Sequence, residues 1–94
     1  MKLYAVAVGN LPNKPMFKLS SNEKKALDII KNLDNLYAFH EDYPRGTLLL
    51  FKSRNDAVGA KNELEFERIQ TGRNISIFDY DEDNNHLIFM GVLD

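Results

Sequence analysis

The spacing of apolar positions changes along the chain, and the changes mark out seven elements. From Lys2 to Gly9 the pattern alternates loosely, with Leu3, Val6 and Val8 among small and aromatic residues, and it ends at Gly9-Asn10 and Pro12. That predicts a strand. Leu11 to Leu19 contains Pro12 and Pro15, which bar a helix, so Met16 and Phe17 are expected to tuck back onto the core from a loop. Ser20-Ser21-Asn22-Glu23 then reads as a capping box, in which a serine hydroxyl accepts from the backbone N–H three residues on and the glutamate reaches back. Behind it Ala26, Leu27, Ile30 and Leu33 recur at helical spacing, with Lys24, Lys25, Asp28 and Lys31 on the other side. A first helix over about 22–33 follows, stopped by Asp34-Asn35.

Leu36 to His40 is a second strand, turning through Glu41 to Gly46 into the apolar run Thr47-Leu48-Leu49-Leu50-Phe51. A run of that length between turn signals, apolar on both faces, predicts a buried central strand. Ser53 and Asn55 can cap a second helix over about 54–70, with Ala57, Ala60, Leu64 and Ile69 as its buried stripe. Gly59 weakens that helix by about 1 kcal/mol relative to alanine, so close packing against the sheet is its expected reason. Gly72 is the expected left-handed residue past the helix end. Ile75 to Phe78 and Leu87 to Val92 are two further strands around the polar turn Asp79 to His86.

The order β-α-β-β-α-β-β contains two split β-α-β units. These fold most simply into an α+β sandwich of the ferredoxin-like kind, an antiparallel sheet with both helices on one face. The last strand either extends or covers that sheet. No repeat or linker interrupts residues 1–94, which are expected to form one domain. The fold hosts many unrelated activities and names none.

Composition narrows the chemistry. Cysteine is absent, which removes disulfides, thiolate metal sites and cysteine nucleophiles. No stretch resembles a signal peptide or a membrane span, so a cytoplasmic location and no membrane partner are expected. The net charge is −2; residues 1–47 carry seven basic and five acidic groups, and residues 48–94 five and nine. Binding to nucleic acid draws its affinity from a basic face, and this balance argues against one. Abundant Asn and Lys fit an AT-rich bacterial or phage gene.

Val6-Ala7-Val8-Gly9-Asn10-Leu11 resembles the first signature of the RNA-recognition motif family, and Arg45-Gly46 resembles the start of its second. The stretch FKSRNDAVGAKNEL and Gly72-Arg73-Asn74-Ile75 are similar to that family's second helix and the entry to its next strand. The resemblance implies single-stranded RNA binding by bases stacked on sheet aromatics. Ala7, Thr47 and Leu49 stand at the stacking positions, however, and none presents a ring. Tyr4, Arg45 and Phe51 are the remaining nucleic-acid candidates. Without the rings, a strip of Ala7, Thr47, Leu49 and Phe51 facing away from the helices suits a protein partner or a homodimer.

Asp79-Tyr80-Asp81-Glu82-Asp83-Asn84 places acids at alternate positions, like the opening of an EF-hand loop. Asn84 at the glycine position, Met90 at the bidentate acid position and flanking strands instead predict a solvated hairpin turn, with no metal. The same acids could imitate phosphates and dock on the basic groove of a nucleic-acid-binding protein. His40-Glu41-Asp42 and His86 supply the only imidazoles, without a third ligand at suitable spacing. Gly9-Asn10-Leu11-Pro12 is not a phosphate loop, and acyl phosphatases of this fold need a glycine-rich loop with an arginine there. The expectation is therefore a small non-catalytic protein-binding module without a cofactor, in the style of phage or mobile-element inhibitors and regulators. Its contact residues would be Leu49, Phe51, Asp79, Asp81, Glu82 and Asp83. RNA binding is the alternative.

Overall fold

The computed structural model describes residues 1–9, 11, 14–42 and 46–93. The candidate Arg45 lies outside them. The elements are β1 (Lys2–Val8), a 3-10 turn (Met16–Lys18), α1 (Ser21–Lys31), β2 (Leu36–Asp42), β3 (Gly46–Phe51), α2 (Arg54–Phe66), β4 (Ser76–Asp81) and β5 (His86–Val92). The strands form one sheet in the order β2-β3-β1-β4-β5, with every neighbouring pair antiparallel. This α+β arrangement is compatible with a ferredoxin-like fold. The fifth strand extends the sheet beside β4. β1 is the middle strand, and β3 lies between it and the edge strand β2.

Local chemistry accounts for the helix starts. The Ser20 hydroxyl accepts from the Glu23 N–H at 3.2 Å, and the Ser53 hydroxyl from the Asp56 N–H at 3.4 Å. The end of α2 corrects the expectation. The helix stops at Phe66, and Arg68, not Gly72, takes the left-handed conformation with φ 63. The Arg68 N–H donates to the Glu65 carbonyl and the Ile69 N–H to the Leu64 carbonyl, both at 2.9 Å. That pattern closes a helix end and folds Ile69 back against the core. Gly72 instead lets the chain approach β1: its N–H donates to the Ala7 carbonyl at 2.8 Å, and a Cβ there would lie 3.0 Å from that of Ala7. Gly59 is exposed, and a Cβ on it would meet nothing within 4 Å, so packing against the sheet is not its reason.

β3 is buried along its whole length, but with two separate cores on its two sides. Leu49 and Phe51 join Val6 and Val8 of β1, Ile30 of α1, and Ala57, Ala60 and Leu64 of α2. Both helices thus pack on the face that carries Leu49 and Phe51. Leu48 and Leu50 point the other way, with Leu3, Ala5 and Phe78. Among the described residues no helix covers that face, yet Leu3 is 0 % and Leu50 2 % exposed.

Sheet curvature supplies the cover. Tyr37 of β2 and Tyr80 of β4 are separated by β3 and β1, about 14 Å across a flat sheet. Their ring centroids are nevertheless 6.4 Å apart, and Tyr37 Oη donates to Glu82 Oε1 at 3.0 Å. Register shifts in β2, between Leu36 and Ala38, and in the β4–β5 pair, between Ile77 and Phe78, add to the ordinary twist. Met16 and Phe17 do not tuck inward: the 3-10 turn leaves them 45 % and 80 % exposed and delivers Leu19 to the interior.

Candidate functional site

The register separates the residues expected to form one exposed strip. Ala7 pairs with Leu48, and Val6 pairs with Leu49, so Ala7 lies on the face opposite Thr47, Leu49 and Phe51. Leu49 and Phe51 are both 0 % exposed under the helices. Their assignment as contact residues is corrected: no partner reaches them in the folded chain. Tyr4 and Phe51 are direct cross-strand neighbours, but on this same helix-covered side, where Tyr4 is half-buried against the core. They form packing there, not a stacking platform.

The acidic hairpin is tighter than the expected turn from Asp79 to His86. β4 runs on through Asp79, Tyr80 and Asp81, β5 begins at His86, and only residues 82–85 form the turn. The carboxylates have separate tasks. Asp79 accepts from the N-terminal amine of Met1 at 3.0 Å. Asp81 turns into the loop, accepting from the Asp83 and Asn84 N–H groups at 3.1 and 3.4 Å and from Asn84 Nδ2 at 2.7 Å. The Asn84 side chain, then the two N–H groups and nearby His86, hold its pKa below the ordinary aspartate value against the opposing effect of desolvation. Glu82 accepts from the Tyr37 hydroxyl, and that bond, more than desolvation, raises the tyrosine pKa. Asp79, Asp81 and Glu82 therefore point to three different neighbours and do not converge on one point, and no His/Asp/Glu group suited to a metal ion occurs among the described residues.

β5 forms the surface that the pattern of residues did not reveal. It reads as a core strand, yet Ile88, Phe89, Met90 and Val92 are between 45 % and 64 % exposed. The reason is its place at the sheet edge, where neither helix reaches. Phe89 stands on the helix-free face, edge-on to Phe78 at 5.7 Å between centroids. Ile88, paired with Asp79, points to the other side. Met90 is the extra residue of a bulge, since Ile77 pairs with Gly91 and Phe78 with Phe89; Gly91 accommodates it with φ 143. Among the described residues the outer rim of β5 faces no other strand, which leaves its backbone donors and acceptors open on that side.

Other places on the surface have the shape or the chemistry of a site. An open groove of about 640 Å³ lies between the start of α1 and the α2–β4 connection, lined by residues including Gly9, Asn22, Glu23, Arg68 and Thr71. Two of its polar side chains already have partners: the Thr71 hydroxyl bonds Lys61 and Glu65, and Glu23 engages Lys14. On the helix-free face, Lys52 Nζ lies 4.9 Å from the Tyr37 ring centre, completing a latch with Tyr80 and Glu82. Sequence reasoning missed this latch because Tyr37 and Tyr80 lie on non-adjacent strands that only the curved sheet brings together. Comparison with family models, curated proteins and solved structures finds no match.

Proposed function

We propose that the chain is a small, non-catalytic protein-binding module that acts as an inhibitor or regulator by docking, with the β5 edge as its contact surface and the acidic hairpin turn beside it. We read the fold as a ferredoxin-like sheet enlarged by this one strand. The observation that carries the proposal is the row Ile88, Phe89, Met90 and Val92, exposed on a strand with a free backbone rim and no charged residue between His86 and Leu93. Such a rim offers hydrogen bonds in register and apolar contacts on both sides, which is the chemistry of strand addition. Asp83 and the exposed flank of Glu82 would bias the choice toward a partner with a basic neighbourhood.

RNA is the alternative, and Tyr37, Tyr80 and Lys52 on the helix-free face are what favour it. Their mutual contacts occupy the rings, however, and the sheet centre beneath is filled by Leu3, Leu48 and Leu50. Two measurements test the choice. Capture from the native host should recover a protein with the wild-type chain and lose it with Met90→Asp, at unchanged melting temperature. Saturable binding of a labelled single-stranded RNA pool, weakening with salt and abolished by Tyr37→Ala and Tyr80→Ala, would overturn the proposal.

A further inference from the structure

We infer that the occupant of the β5 edge is a second copy of this chain, paired antiparallel through His86–Met90 to give a continuous ten-stranded sheet. This rests on reading β5 as a protein-docking surface and names its partner. The two edges of the sheet differ in charge. β2 carries the exposed Glu41, a residue of the kind that guards an edge against pairing, whereas β5 carries no Lys, Arg, Asp or Glu at all. Gly91, with φ 143, ends the extended run just after the bulge residue Met90, so the usable run His86–Met90, Met90 included, is five residues long and its centre is Ile88. A twofold axis through Ile88 sets Leu87 against Phe89 and His86 against Met90 of the other copy. Every opposed pair is then free of like charge.

The acidic turns do not oppose this pairing. Residues 82–85 precede β5, so in the dimer the two turns lie at opposite ends of the paired strands, about 30 Å apart at strand rise. That is several Debye lengths at physiological salt, and their repulsion is screened. The contact is small. Three side chains about half exposed leave on the order of 300–400 Å² per copy to bury, before the backbone rim is counted. Over two copies that is only about 600–800 Å², short of the roughly 1,000 Å² at which specific interfaces begin, so the backbone rim must supply the rest and association is expected to be weak, between about 10 μM and 1 mM.

Sedimentation equilibrium over that range tests the inference on the intact chain. The wild type should shift from monomer to dimer. Ile88→Asp should stay monomeric, because it brings two carboxylates together on the axis beside Asp79 of each copy. Mixing it with Ile88→Lys should restore a dimer through opposite charges at the same point. Since the chain has no cysteine, single-cysteine variants read the register in a second, independent way. Ile88→Cys should oxidise to a disulfide dimer faster than Phe89→Cys or Met90→Cys, because only the axial residue meets its own copy within bonding reach. A wild-type monomer at 1 mM, a dimer indifferent to Ile88→Asp, or faster linkage at Phe89 or Met90 would each overturn the inference. If the chain is monomeric while Met90→Asp still loses a captured protein, the second copy is refuted and the docking reading stands. If Met90→Asp affects neither association nor capture, both fail.

Discussion

Leu50→Ala is the sharpest test of how this sheet is stabilised. Leu50 lies on the face without helices and is 2 % exposed. Truncation removes three carbon groups' worth of burial, about 2–2.5 kcal/mol of transfer free energy. The cavity adds to that according to how far the neighbours can close in. At this position they cannot close far. The cross-strand partners of Leu50 are Ala5 on β1 and Ala38 on β2, so the variant would leave a row of three alanines across three strands. The expected loss is about 3–4 kcal/mol, a large share of the 5–15 kcal/mol typical of a domain. In a chain of this size that lowers the melting temperature by more than about 12 °C. Urea denaturation at constant m-value is the assay, with Leu49→Ala reporting the helix-covered core and Val58→Ala an exposed control. A loss below about 1 kcal/mol for Leu50→Ala, beside a normal loss for Leu49→Ala, would show that the hairpin does not seal the helix-free face. Sheet curvature would then not be what buries Leu3 and Leu50.

Three further outcomes rest on particular residues. Gly59→Ala should stabilise the chain by about 1 kcal/mol, since it restores helix propensity where an added methyl group meets nothing; an unchanged or lowered urea midpoint refutes this. Gly46→Ala should cost at least about 2 kcal/mol, because Gly46 has φ 101 and a Cβ there would lie 2.3 Å from the Val8 carbonyl oxygen; a wild-type melting curve would show that the β3 entry is misplaced. Asp81 has a folded-state pKa below its unfolded value, so its stabilising effect is complete above the ordinary aspartate range and is lost as pH falls through the folded pKa. Asp81→Asn should therefore flatten the fall in stability on the acid side of that range, and an unaltered pH profile would count against the turn geometry.

The helix starts were legible because capping is local: a serine three residues before an N–H sets the start of α1 and of α2 whatever surrounds it. The end of α2 was not. Gly72 had the right residue type for the left-handed position, but the chain reverses earlier, at Arg68, where the Ile69 N–H bonds the Leu64 carbonyl and Ile69 packs on the core. The same limit applies to the candidate contacts. The acidic turn was found because its residues are contiguous, while the separate partners of Asp79, Asp81 and Glu82 are set by the amine of Met1, the turn backbone and Tyr37.

Element type and order are properties of the sequence itself, since hydrophobic period, proline and caps act over a few residues. The facing of β3 could not be read that way. Thr47 to Phe51 is apolar at nearly every position, so alternation carries no sign, and a shift of one residue exchanges the faces. The pairing of Val6 with Leu49 put Leu49 and Phe51 under the helices and Leu48 and Leu50 against the curled hairpin. Exposure of β5 was likewise a tertiary matter. Its apolar sequence is that of a core strand, and only its place beyond the reach of both helices leaves Ile88, Phe89 and Met90 open to water.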